Sequence, residues 1–193
     1  MDSLSQPREN SREHGNGMFG FTVFLLSESV IFLSLFATYI LLRSIAHGWL
    51  PRGVSPLEVT QPAINTAVLV SSSFVIYFAE KALARHHLNQ FRLLWLTTSA
   101  MGTYFLVGQM IEWSHLKFGL TTGLFGSTFY LLTGFHGLHV LVGILLQLLM
   151  LARSFKPNNY RTSHFGVSAT SLFWHFVDVI WLVLFSLIYL WRP

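Results

Sequence analysis

Two short segments place ionisable side chains three residues apart inside apolar runs: His136 and His139 in TGFHGLHVLVG, and His175 and Asp178 in FWHFVDVIW. A third run, LLSESVIF, carries Glu28 between Ser27 and Ser29. A spacing of three puts both members of a pair on one helix face. An imidazole and a carboxylate there can hold or relay a proton, and two imidazoles can ligate a metal or haem. A buried carboxyl can exchange a proton or meet a lipid. Each group also has a plainer reading, as a polar contact that fixes helix packing. A metal centre needs further ligands and a shell of hydrogen bonds around them. Only His175 and Asp178 could supply those to His136 and His139, so no metal site is expected.

The elements that must carry these groups are membrane-spanning helices. Of 193 residues, 52% are hydrophobic and only 10% charged, against about 25% charged in ordinary soluble domains. The net charge of +4 is then no sign of nucleic-acid binding, because Lys and Arg of membrane proteins gather in cytoplasmic loops beside anionic headgroups. There is no cysteine, which excludes disulfides, Cys-ligated iron–sulfur clusters and thiolate-bridged copper within this chain.

Residues 1–17 read as a polar N-terminal tail, disordered or interfacial. Residues 18–193 read as one all-α domain, an integral membrane bundle of five transmembrane helices at about 18–42, 62–83, 91–111, 127–152 and 167–190, each near the length that crosses a bilayer. The first run is too long for a cleavable signal and holds Glu28 mid-run. Arg8, Arg12, Lys81, Arg85, Arg92, Arg153, Lys156 and Arg161 fall on one side, and Arg43, Arg52, Lys117 and Arg192 on the other. That imbalance predicts a cytoplasmic N-terminus and an external C-terminus. Tyr104, Trp113, Tyr189 and Trp191 fit an aromatic belt near the helix ends.

Rise per residue sets depth. Glu28 lies roughly 15 Å into its span, about half of a ~30 Å hydrocarbon core, and His136, His139, His175 and Asp178 come out at similar depths. An ionisable group there costs at least about 2.5–3.5 kcal/mol unless compensated, so it must face protein. Neighbouring helices, mostly those of a partner, are expected to shield and pair this mid-membrane layer. Glu112, beside Gln109 and Trp113, reads as an interfacial acid. Arg153, Lys156 and Arg161 read as headgroup contacts. A small proton-coupled transporter using the same layer would show internal pseudo-symmetry and helices broken at the midplane, and the five runs show neither.

The segments FGFTVFLLSESVIFLSLFATYILLR, INTAVLVSSS, YFLVGQMIEW, GSTFYLLTGFHGLHVLVG and FWHFVDVIWLVLFSLIYLW resemble, in that order, the helices of haem–copper oxidase subunit III. The likeness runs from Phe19 to Trp191 and is nearest to the short five-helix form of bacterial cytochrome c oxidases. It implies a non-redox subunit of a multi-pass membrane complex, in a bacterial plasma membrane or an internal membrane such as the thylakoid. By that resemblance the chain packs directly on subunit I, with subunit II in the same complex. Haem and copper lie in those partners and none in this chain, and phospholipid is held near it. Support of proton uptake and of stability in turnover is implied as well.

Residue by residue, Glu28 matches the family's buried carbodiimide-reactive glutamate. His136, His139, Trp174, His175 and Asp178 match its signature segments, as structural residues around a helix interface. Glu112 matches a recurrent acidic position. Longer members carry two further N-terminal helices whose cleft against the rest holds lipid. The chain is expected to start at the third helix of that longer form, so a lipid role for Glu28 requires another subunit to supply the missing wall. A quinol oxidase subunit III shares the five-helix plan and is the nearest alternative.

Overall fold

The computed structural model describes residues 6–46, 48–50, 57–156 and 164–191, with side chains from Gly17 onward. Five helices follow one another: α1 (Gln6–Ile45), α2 (Thr60–Ala84), α3 (Leu88–His115), α4 (Gly123–Arg153) and α5 (Phe165–Phe185), the last continuing into a π-helical turn at Ser186–Leu190. The five expected spans lie inside these helices, except that the fifth ends in the π turn. The described residues contain no strand.

One boundary differs. α1 begins at Gln6, so most of the segment read as a disordered or interfacial tail is helical. Pro7 suits a first helical turn, and the Arg, Glu and Gln around it are good helix formers. Gly15, Asn16 and Gly17 are poor helix formers, yet the α1 helix continues outward through them past its apolar part. Among the described residues, four helices are long and apolar enough to cross a membrane, counted over 17–45, 60–84, 123–153 and 165–190. α3 is long enough but more polar, with Thr97, Thr98, Ser99, Thr103 and Gln109 in its middle.

Helices α2, α3, α4 and α5 form a closed ring in which each packs on the next and α5 returns to α2; α1 lies outside it, against α5 and α4. Trp174 fills the centre of the ring. Its indole N–H donates to Ser72 Oγ on α2 at 2.8 Å. Its ring lies against Gly102 of α3 and Gly143 of α4 so closely that neither position has room for a Cβ. Above and below, Trp181 donates to Thr66 Oγ1 and Trp95 to the Gln147 carbonyl, both at 2.8 Å. A buried indole needs such an acceptor, and each of these bonds crosses between helices.

The ring is fastened at both ends. Between α2 and α3 the chain turns through His86 at φ 61°. His86 N–H donates to Leu83 O and His87 N–H to Ala82 O, the two bonds of a Schellman ending. Arg92 reaches from α3 to Ser154 Oγ at the end of α4. At the opposite end the π turn closes with Trp191 N–H on Ser186 O. That wider turn accompanies two contacts, Tyr39 OH on Leu187 O and Tyr189 OH on Glu112.

Candidate functional site

The ionisable groups expected to form one mid-membrane layer are brought together as two clusters, with one imidazole apart. The first cluster joins α1 to α4. His139 Nε2 lies 3.2 Å from Glu28 Oε2, with side chains only 11% and 17% exposed. His139 Nδ1 sits 2.8 Å from the Phe135 carbonyl, which only accepts, so Nδ1 carries a hydrogen. Contact with Glu28 then needs one more proton, held either as carboxylic acid against neutral imidazole or as carboxylate against imidazolium. The pair is a one-proton unit with no net charge in either form. Ser27 and Ser29 are not part of it, since each donates to its own helix backbone, to Phe24 O and Leu25 O. The Phe32 ring closes over His139 with centroids 5.0 Å apart.

The second cluster joins α2 to α5. Ser73 Oγ–H donates to Asp178 Oδ2. His175 Nδ1 lies 3.0 Å from the same Ser73 Oγ. Ser73 has one hydrogen and spends it on Asp178, so His175 must donate through Nδ1–H, which leaves Nε2 as the acceptor of the neutral ring. His175 and Asp178 share a face as expected but meet through Ser73, not through a direct bond. Two turns nearer the α2 C-terminus, Ser171 Oγ donates to Glu80 Oε2 at 2.9 Å. Thr66, Ser73 and Glu80 are seven apart, so α2 presents one polar edge to Trp181, to Asp178 with His175, and to Ser171.

His136 stands apart. It is fully buried, stacked on Trp181 with centroids 4.9 Å apart and 29° between planes, and edge-on to Phe105. It faces α3 and α5, whereas His139 faces α1. The three imidazoles of His136, His139 and His175 thus point into different interfaces, and the shared-ligand reading of His136 and His139 loses its geometry. Among the described residues no three His, Cys, Asp or Glu side chains come together as metal ligands. Gly134 and Gly137 both face α3, toward Trp113 and Leu106.

Glu112 is more enclosed than a simple interfacial acid. Its Oε1 accepts from Tyr189 OH at 2.9 Å and its Oε2 from Gln109 Nε2 at 3.2 Å. Tyr189, expected in an aromatic belt, is buried beneath this contact, while Tyr104 and Trp191 are exposed. Arg153 and Lys156 lie exposed at the end of α4, and Arg161 falls outside the described residues. Ser73 and Glu80 were not singled out from the sequence. The seven-residue spacing from Thr66 was the signal that could have found them.

The ring, the outer helix and the polar contacts between helices define a multi-helix membrane protein in which Glu28, Glu112 and His175 find partners within the fold, whereas both ring nitrogens of His136 and Asp178 Oδ1 are buried with none. The family model described as Cytochrome c oxidase subunit III matches residues 10–193. A cytochrome c oxidase subunit 3 of Synechocystis sp. is 50% identical over 98% of this chain and 83% of the relative. One of Thermostichus vulcanus is 45% identical over 94% of this chain and 91% of the relative. The mouse protein of that name is 36% identical over 90% of this chain and 69% of its own length. The chain belongs to the cytochrome c oxidase subunit III family.

Proposed function

We propose that the chain is the non-redox third subunit of an aa3-type cytochrome c oxidase, the respiratory complex that reduces oxygen to water while pumping protons. The single observation that supports this is identity of 50% across 98% of the chain with a Synechocystis protein named cytochrome c oxidase subunit 3. In this reading all five helices cross the membrane. α3 does so despite its polarity because Thr98, Ser99 and Gln109 are buried in the ring, away from lipid. The end holding Lys81, Arg85, Arg92, Arg153 and Lys156 faces the cytoplasm, and the C-terminus is external. The membrane is a bacterial plasma membrane or a thylakoid.

The chain packs on subunit I, with subunit II in the same complex; those partners hold haem and copper, and this chain contributes no catalytic residue. Glu28 with His139 is the lipid- or proton-linked site. His136, Trp174, His175 and Asp178 hold the helices in register, and Glu112 ties the end of α3 to the end of α5. Arg153, Lys156 and Arg161 meet phospholipid headgroups. Purification of the chain in mild detergent tests the assignment. A haem-bearing subunit I must come with it; recovery of the chain alone with bound haem or metal, or moving a solute across liposomes by itself, would overturn it. Subunit III of a quinol oxidase is the second reading. It predicts a copurifying subunit II without copper-binding cysteines, where the first predicts one with them.

A further inference from the structure

The polar edge between α2 and α5 leads from the surface to the interior and stops there. At its outer end a cavity of about 320 Å³ is lined by Tyr77, Glu80, Lys81, His164 and Ser168 among others. Glu80 sits at its base and accepts from Ser171 Oγ, a side chain only 1% exposed. One turn deeper on α5 from Ser171 comes His175. Its Nδ1–H faces Ser73 Oγ, and Ser73 donates to Asp178 Oδ2. Asp178 is 4% exposed, and its second oxygen, Oδ1, is buried with no hydrogen-bond partner. Beyond Asp178 the next layer is closed by Leu69, Phe105 and Trp181, all buried.

We infer that Asp178 is a blind proton store, loaded and unloaded from the α2 C-terminal end of the bundle through Glu80, His175 and Ser73. The donors already point the required way. A proton arriving at His175 Nε2 releases the Nδ1 proton to Ser73 Oγ, Ser73 passes its own hydrogen to Asp178, and the carboxylate becomes a carboxylic acid. Unloading runs the same bonds in reverse. Every step moves one proton between neighbouring oxygen or nitrogen atoms, with no electron moved and no co-reactant beyond water. Glu80 accepts from Ser171, which stands one helix turn, about 5.4 Å, from His175, a gap one bridging water covers.

The other charged and titratable groups facing this column are Tyr77, Lys81 and His164 at the cavity and His136 across Trp181. None lies between Ser73 and Asp178. The column is a reservoir and not a passage, because the layer beyond Asp178 offers no onward hydrogen bond to it.

Infrared difference spectra of the chain in its purified complex, prepared with carboxyl-labelled aspartate and taken across a pH change, test this. A titrating carboxylic-acid band absent from Asp178→Asn is expected, and it should shift in deuterated buffer. In Ser73→Ala and Glu80→Gln the shift should be slower by about tenfold or more. Should Asp178→Asn fail to assemble, Ser73→Ala carries the test, since it removes one hydroxyl and no packing volume of consequence. No titrating aspartate band, or unchanged exchange in both relay variants, overturns the proposal. The subunits recovered in the same preparation report separately on the oxidase assignment.

Discussion

Trp174 and Gly143 sit so close that a methyl group on the glycine would lie 2.8 Å from the indole ring. The contact joins α4 to α5 at the level where the same indole reaches Ser72 on α2. Three helices are therefore registered on one side chain of the fourth, and the polar groups one turn away inherit their positions from it.

Gly143→Ala and Gly102→Ala should each force Trp174 aside and weaken the bundle by about 1–3 kcal/mol, the usual cost of overpacking. Trp174→Phe loses the N–H to Ser72 and also leaves a cavity where the larger indole stood, so about 2–4 kcal/mol is expected. Thermal unfolding of the purified complex, followed on this chain, ranks the three; Phe should be the most costly.

Glu28→Gln should leave the complex assembled with normal haem content. Its amide can donate to the neutral His139 Nε2 just as a protonated carboxyl does. Glu28→Ala instead leaves that nitrogen enclosed and unpaired, at about 1–3 kcal/mol. The haem absorption spectrum and the amount of chain retained on purification read both. Loss of haem in the Gln variant would show that Glu28 supports a subunit contact.

Tyr189→Phe removes the donor to Glu112 Oε1 and leaves Gln109 as the remaining partner. Hydrogen exchange of residues 186–191 should quicken, with a loss of about 1 kcal/mol in local stability. Exchange unchanged from the parent would mean that the π turn is held by Tyr39 and packing alone.

His86→Gly should be neutral or slightly stabilising, because the left-handed conformation costs a side-chain-bearing residue about 1–2 kcal/mol and glycine's greater unfolded freedom offsets part of that. His86→Val should destabilise the α2–α3 turn, as a β-branched residue tolerates that conformation least. Melting temperatures of the two variants, moving in opposite directions, check the turn geometry.

The helices were legible because long apolar runs bounded by Arg, Lys, Gly and Pro leave little choice of length or type. The start of α1 was not, since polarity marks where a membrane ends and says nothing about where a helix does. Spacing three apart correctly put His175 and Asp178 on one face. It could not show that Ser73, a hundred residues earlier, stands between them. The same spacing misled at His136 and His139: residues three apart sit about 60° apart around a helix, enough to send one toward α1 and the other toward α3 and α5. A partner was expected to shield the buried charges; within the chain itself His139 pairs with Glu28 and Ser73 donates to Asp178. Gly143 went unnoticed beside Gly134 and Gly137, because which glycine receives a tryptophan depends on the neighbour's register.

The position of α1 outside the ring sets an order for biogenesis. Synthesised before the ring, it rests on α4 and α5, which leave the ribosome after α2 and α3, so Glu28 must wait in the bilayer without His139 until those helices have been inserted. An acidic residue left that long without its histidine favours late docking as the step at which folding stalls. Truncations ending before α4 should accordingly leave the first helix loosely held and open to degradation.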